Sequence, residues 1–286
     1  MKPGYLHKKY IRQFIRQALA EDVGEGDHSS IASIPKKARQ KARLIVKSEG
    51  ILAGVELARQ IFKQVDPQLK FVVLLKDGSQ VKYGDIAFEV HGHARSILTS
   101  ERLVLNCMQR MSAIATLTRQ FARQIEGTGA QLLDTRKTTP NFRIAEKWAV
   151  LIGGGSNHRF GLYDMIILKD NHIDFAGGIP QAVHHTHKYL KKLGKRLKVE
   201  VETRTIDEVK QVLEQNKVHR IMLDNMSPQM MKEALKLINK SIETEASGGV
   251  TLQNVREIAL TGVDFISVGA LTHSAGSMDM SLKAFE

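Results

Sequence analysis

The stretch Arg220-Ile221-Met222-Leu223-Asp224-Asn225-Met226-Ser227-Pro228 decides the fold. An apolar strand ends in an acid and an amide. A capping serine then precedes proline at the first helical position. Strand, short loop and capped helix make one βα unit, and the unit recurs on both sides. Upstream stand the strands Gln131–Asp134, with a helix near Ala145–Ile152, and Met165–Leu168, with a helix near Ile179–Leu190. Leu197–Val201 follows, and its helix opens on the capping-box pattern Thr205-Ile206-Asp207-Glu208. Downstream, Ser241–Ala246 leads to a helix expected to be capped by Thr251 and stopped by Gly262, and Phe265–Val268 is the sixth strand. Such alternation predicts a parallel sheet with crossover helices. An open doubly wound sheet and a barrel both fit. The first βα turn lacks G-x-G-x-x-G, which turns the reading towards a TIM-like barrel of fewer than eight strands.

The preceding part has a different texture. Leu6, Tyr10, Ile11, Phe14, Ile15 and Leu19 repeat with a helical period, and Val55–Val65 also reads as a helix. Arg43–Lys47, Phe71–Leu75 and Ile86–Ile97 read as strands, with a hairpin signal at Lys76-Asp77-Gly78. The spacing then predicts a long helix over Ser100–Ile125, with Cys107 on its apolar stripe and Arg102 in its first turn. The expected organisation is an α+β domain over residues 1–112 and a barrel over 113–273, with the tail 274–286 packing back on the first domain.

Composition narrows the chemistry. The chain has 286 residues, 42 Lys and Arg against 30 Asp and Glu, and a net charge of +12, which points to an anionic ligand. Aromatic residues are 6% of the chain, and none interleave with the basic runs Lys36–Arg43 and Lys188–Lys198. The pattern suits a small anion better than nucleic acid. One cysteine excludes an intramolecular disulfide and a multi-cysteine zinc site. No apolar run approaches the ~20 residues of a membrane span. The segment Met1–Lys9 has no apolar signal core, so a cytoplasmic protein is expected.

In an α/β barrel the chemistry collects where the strands end. Those ends carry Thr135, Arg136 and Lys137, then His158 and Arg159, then Lys169. Four fixed cations in one mouth would repel one another unless a polyanion or a network with Asp134, Asp164 and Asp170 balanced them. Arginine suits bidentate carboxylate or phosphate binding. Ser247-Gly248-Gly249 before a helix, with Val268-Gly269-Ala270 on the next strand, resembles a phosphate cradle. Glu200 and Asp224 are acids suited to sugar hydroxyls or Mg²⁺, held directly or through substrate. Glu202 shares a side with Glu200, and spacing does not choose between them. His184-His185-Thr186-His187 does not converge on a metal, and Asp27-His28-Ser29-Ser30 lacks the elbow of a hydrolase.

Taken together, Leu133–Pro140, Gly153–Leu162, Leu168–Ile173, Met222–Met226, Glu245–Val250 and Gly262–Thr272 resemble the quinolinate phosphoribosyltransferase family. Glu21–Asp27 and Ser100–Asn106 extend the likeness over nearly the whole chain. The resemblance implies an N-terminal α/β sandwich domain joined to an open, incomplete α/β barrel of seven strands, one more than the pattern shows. It implies transfer of phosphoribosyl from 5-phosphoribosyl 1-diphosphate to quinolinate with decarboxylation, using Mg²⁺ and no organic cofactor. Quinolinate would contact Arg136, Lys137, His158, Arg159, Lys169 and Thr135. The phosphoribosyl side would fall to Glu200, Asp224, Ser247–Gly249 and Val268–Ala270, with Lys137, Lys169, Glu200 and Asp224 nearest the chemistry. The family works as a homodimer, with Arg102 reaching the partner's barrel. Asn141 stands where the family usually has glycine, and asparagine tolerates that geometry. Alternatives are a relative acting on nicotinate, a paralogue linked to molybdenum transport and, from another class, an RNA-binding protein.

Overall fold

The computed structural model describes residues 3–286; Met1 and Lys2, which begin the segment read for a signal core, lie outside the described residues. The chain forms two units, one of residues up to Arg119 with Lys137–Gly154 and Leu271–Glu286, the other of Gln120–Arg136 and Gly155–Ala270.

In the first unit, α1 (Lys8–Val23) and α2 (His28–Ser33) precede β1 (Arg39–Val46), β2 (Gly50–Ile51), α3 (Val55–Val65), β3 (Lys70–Val73), β4 (Gln80–Val81) and β5 (Ile86–His93). On β1, Ala42, Leu44 and Val46 alternate inward, as a half-buried strand should. Phe62, Phe71 and Phe88 cluster with ring centroids 4.5–5.9 Å apart. Asp77 accepts from the first backbone N–H groups of α3, Val55 at 2.8 Å and Glu56 at 3.2 Å. The hairpin expected at Lys76–Gly78 is not one: β4 pairs with β2, and β3 pairs with β5.

Next comes α4 (Ala94–Gln124), which begins six residues before the predicted start. His93 ends the strand, so the predicted strand over Ile86–Ile97 is too long and Arg102 lies in the third helical turn, not the first. The error arises because Ala94–Thr99 carries both periods. Cys107 is buried on α4, and burial pushes its thiol up to about 12, as suits a core residue.

The second unit supplies β6 (Gln131–Leu133), whereas α5 (Arg143–Gly153), read from sequence as a barrel helix, packs in the first unit. Its last residue explains why: a Cβ at Gly153 would lie 2.6 Å from Ala115 O and from Thr118, so only glycine fits against α4. The chain continues through β7 (Ile166–Leu168), α6 (Asp170–Ala176), α7 (Ile179–Leu193), β8 (Val199–Thr203), α8 (Ile206–Leu213), β9 (Arg220–Asp224), α9 (Pro228–Ile238), β10 (Glu243–Ser247), α10 (Val255–Ala259) and β11 (Phe265–Ser267). The caps expected at Thr205 and Ser227 form, each side chain accepting from the backbone three residues on. The six strands run parallel in the order β6-β11-β10-β9-β8-β7, and the barrel is not closed. A single parallel bridge between Leu133 and Ser156 stands where a seventh strand would begin. After α11 (Ala270–His273), β12 (Met280–Phe285) returns to the first unit and pairs with β1.

On β8 the sequence Val199-Glu200-Val201-Glu202-Thr203 is buried on both faces. Parallel register puts Glu200 beside Arg220, and Glu202 and Glu245 beside Met222. The valines take one face, and the acids share the other with Arg220. This interior is therefore charged where barrels of this kind are usually filled by branched apolar side chains.

Candidate active site

The second unit brings together most of the predicted residues at its strand ends. Asp134, buried just past β6, accepts from Asn157 Nδ2 at 2.6 Å and from the His158 N–H at 2.8 Å. Those bonds fix the segment that carries His158 and Arg159. Arg159 Nη1 donates to Met165 O at 3.0 Å, while among the described residues nothing accepts from its buried Nε. Burial and the Arg136 guanidinium hold Arg159 below its usual value, against Glu200 and Asp164. Asp164 directs both oxygens to the backbone N–H groups of Phe160 and Gly161, at 2.7 and 3.0 Å. An arginine depressed by a second one beside it, with a buried donor to spare, forms a site for an anion of more than one charge.

Lys169 is exposed at the end of β7, and its Nζ lies 3.3 Å from Glu202 on the next strand. Asp170 N–H donates to the other Glu202 oxygen at 3.4 Å. Asp170 and His172 lie in the first turn of the seven-residue helix α6, where His172 Nδ1 accepts from Lys169 N–H. The structure thus separates the two acids that spacing left equivalent. Glu202 faces a strand-end lysine. Glu200 is fully buried, with His158 Nε2 3.1 Å away, and the same nitrogen is 3.2 Å from Glu245. Glu200 thus lies deeper in the strand layer than Glu202.

The Glu200 cluster is closed by Arg220, which donates to Glu245 at 2.8 Å and to Glu243 at 3.2 Å and lies 3.9 Å from the centroid of Phe265. Burial and the Glu245 charge push Glu200 up to about 7. Burial alone would depress His158, but its bonds to Glu200 and Glu245 and their charges push it up to about 9. His158 Nδ1 accepts from Arg159 N–H at 2.7 Å. With Nδ1 turned to the Arg159 N–H, Nε2 is the nitrogen that faces the two carboxylates.

Asp224 ends β9 half-buried, and Asn225 Nδ2 donates to it at 2.7 Å. Gly248, after β10, has φ +90°, and a Cβ there would lie 2.2 Å from Asn225 Oδ1. Gly249 has φ +60° and open space on its Cβ side. The helix expected here is corrected: α10 starts at Val255 after Asn254, whose side chain accepts from Thr251 N–H. The phosphate argument thus rests on the glycine backbone and not on a helix dipole. Val268, Gly269 and Ala270 follow β11 on the neighbouring strand.

Two predicted residues belong to the first unit. Lys137 is exposed, and Thr272 Oγ1 donates to its carbonyl at 2.8 Å. Arg102 is exposed on α4. Asn141 has φ +60°, the geometry its asparagine was expected to tolerate. Sequence reasoning missed Glu245 and Arg220 as partners of His158; the V-E-V-E alternation on β8 was the one signal that the interior is charged. Of the remaining motifs, Asp27 caps α2 and also accepts from Thr99 Oγ1. His187 pairs with Asn216 O.

Comparison with known proteins places these observations. Residues 27–112 match the quinolinate phosphoribosyl transferase N-terminal domain, and residues 114–283 match its C-terminal domain. The chloroplastic carboxylating nicotinate-nucleotide pyrophosphorylase of Arabidopsis thaliana is 49% identical over 293 aligned positions, covering 97% of this chain and 84% of the relative. A probable carboxylating nicotinate-nucleotide pyrophosphorylase of Bacillus subtilis is 40% identical, covering 95% and 92%. The crystal structure of NadC from Streptococcus pyogenes superposes with a TM-score of 0.90 at 36% identity, covering 98% and 99%.

Proposed function

The chain belongs to the quinolinate phosphoribosyltransferase family, and from that premise we propose how its residues divide the reaction. The enzyme is a pentosyltransferase of de novo NAD biosynthesis. It joins the phosphoribosyl group of 5-phosphoribosyl 1-diphosphate to quinolinate and releases diphosphate and CO₂, yielding nicotinate mononucleotide.

Quinolinate carries two carboxylates, and the paired guanidinium groups of Arg136 and Arg159 receive them, with Thr135 and His158 beside them and Lys169 at the rim. The observation that carries this assignment is the buried Arg159 Nε without an acceptor, next to a second arginine that depresses it. Exposed Lys137 joins the set by its place in the sequence. Alignment of the pyridine nitrogen with the ribose carbon contributes within the ~7–11 kcal/mol open to ideal positioning. As diphosphate leaves, positive charge grows on the ribose, and carboxylates stabilise it. Glu200 and Asp224 are the acids for this role, and Glu202 shares the face of β8 with Glu200, nearer the strand end. Lys169 and Arg159 hold the negative charge left on the ring by decarboxylation.

The backbone of Ser247-Gly248-Gly249, with Val268-Gly269-Ala270, cradles the 5-phosphate. Mg²⁺ enters with the diphosphate, and the hard carboxylate oxygens of Asp224 and Glu200 would hold it, directly or through substrate. When bound, the ion neutralises the leaving diphosphate. The residues need no organic cofactor. The single-cysteine composition supports a reducing, cytoplasmic setting.

We also propose a homodimer in which the exposed Arg102 serves the partner's site. Mixing Arg102→Ala with Lys169→Ala chains should restore activity approaching about a quarter of wild type, since a mixed two-fold dimer holds one intact site. No recovery with demonstrated subunit exchange refutes the sharing. For the site as a whole, the test is product formation from quinolinate and, separately, from nicotinate. Equal turnover of the two refutes the two-carboxylate reading.

A further inference from the structure

We propose that the groove between α1 and α3 is a docking site for an acidic peptide segment of a partner protein, held in extended form along the row Lys8, Arg12 and Arg16.

The charge of the chain is unevenly placed. Most of the net +12 falls in the first unit, whereas in the second, which carries the strand-end arginines, acids nearly balance bases. A small anion at the strand ends therefore accounts for little of the excess. Within the first unit, α1 and α3 gather part of it along one groove of about 1080 Å³. Exposed Lys8, Lys9, Arg12 and Arg16 form one wall, and exposed Arg59 and Lys63 stand on the other. Gln64 of α3 donates to Arg12 O at 3.5 Å and ties the walls together. Glu56 is the one acid in the lining among the described residues, and it is already engaged. Arg59 donates to it from Nε at 2.9 Å and from Nη2 at 2.8 Å, and Gln60 Nε2 donates at 3.0 Å. Lys8, Lys9, Arg12, Arg16 and Lys63 have no acidic partner among the described residues.

These cations do not serve the helix that carries them. α1 opens on Lys8-Lys9 with no acid in its first turn, and it closes on Glu21-Asp22 with no base in its last. That is the reverse of what the helix dipole favours. Lys8, Arg12 and Arg16 also stand four residues apart, where like charges repel. A row kept against both effects has its balance elsewhere, in an anion that is not part of the unit.

Spacing selects the anion. Four helical residues advance about 6 Å, so the row repeats at about 6 Å over about 12 Å. Alternate residues of an extended chain share a face and repeat at about 6.6 Å. An acid at every second position of a peptide therefore meets the row one to one. A nucleic-acid strand fits less well, because the groove offers no Phe, Tyr or Trp among its described lining for bases to stack on.

The test uses the full-length enzyme and a fluorescein-labelled decapeptide of alternating Glu and Ser, followed by anisotropy near physiological salt. Binding should be micromolar and weaken as salt is added. Lys8→Glu/Arg12→Glu/Arg16→Glu should weaken it at least about thirtyfold, and Lys63→Glu at least about threefold. Lys188→Glu/Lys191→Glu/Lys192→Glu, an equal reversal on α7 of the second unit, should change it less than about twofold. The α1 reversal should keep kcat and both KM values within about twofold. Its thermal midpoint should not fall, since an acid in the first turn suits the helix. Absence of saturable binding, an equal loss on reversing α7, or KM values that rise in step with the loss of peptide would each overturn the proposal. Tighter binding of a labelled oligothymidylate, abolished by the α1 reversal, would give the groove to nucleic acid instead. A sedimentation coefficient lowered by that reversal would give it to a second copy of the chain. If the triple reversal fails to fold, Arg12→Gln/Arg16→Gln carries the test, and unchanged peptide affinity in that variant refutes the docking site.

Discussion

Arg220→Met tests the charge balance of the barrel interior. The wild-type guanidinium sits against Glu245 at 2.8 Å, Glu243 at 3.2 Å and the Phe265 ring at 3.9 Å, with only 9% of the side chain exposed. Methionine fills much the same volume but leaves Glu245 without its cation in a buried place. Truncating one partner of a buried pair costs about 3–5 kcal/mol. Loss of a desolvated cation–π contact adds up to about 2 kcal/mol. Methionine keeps the apolar packing of the stem, and the half-exposed Glu243 can turn to water. We therefore expect a loss of about 4 kcal/mol at pH 7.5, a large share of the ~5–15 kcal/mol typical of whole proteins. Denaturant unfolding with urea at a series of pH values measures it. The loss should shrink on acidification towards pH 5.5, because the orphaned carboxylate can then take a proton. A loss under ~1 kcal/mol, or one unchanged from pH 8 to 5.5, would refute the view that Arg220 neutralises a buried anion.

The same interior sets a pH dependence in the unmodified enzyme. His158 is pushed from 6.5 up to about 9 and Glu200 from 4.5 up to about 7, so the folded state holds a proton that the unfolded chain releases. The contribution of this cluster should be full below about pH 4.5 and fall by a few kcal/mol as pH rises through 7 and then 9, read by denaturant midpoints; a flat profile from pH 6.5 to 9 contradicts it. Gly248→Ala forces a side chain onto φ +90° and into Asn225, and should raise KM for the phosphoribosyl donor at least about tenfold with little change for quinolinate. An unchanged donor KM would remove the glycine turn from the phosphate site. Arg159→Ala should cost at least about a hundredfold in kcat/KM while unfolding within ~1 kcal/mol of wild type, and a large stability loss instead would make it a structural residue.

How much of this was legible in the sequence varies with the physics that decides each part. The parallel sheet was, because each βα unit from Gln131 onward carries its own strand run and cap, and Thr205 and Ser227 cap as their neighbours predict. The cationic residues were, because strand ends are where such folds place chemistry. The start of α4 was not: Ala94–Thr99 continues a strand without turn residues, and only the tertiary arrangement settles where the helix begins. The glycines at Gly153-Gly154 looked like part of the site, yet Gly153 is glycine because α4 leaves no room for a side chain. Glu200 and Glu202 were inseparable because they share a face of one strand. Depth separates them, and depth depends on what neighbouring strands contribute. Glu245, one strand further on, could not be linked to His158 by any local rule.

The pairing of β12 with β1 also has a consequence for synthesis. Val46 stands opposite Met280, so the edge partner of an early strand emerges some 230 residues after it. At roughly 5–20 residues per second, a ribosome takes on the order of 10–50 s to deliver it. Throughout that interval a nascent chain presents the bare backbone of β1 as an open edge, the kind of template on which other strands join. The cations at Lys41 and Arg43 on that strand are well placed to discourage wrong partners until the right one arrives.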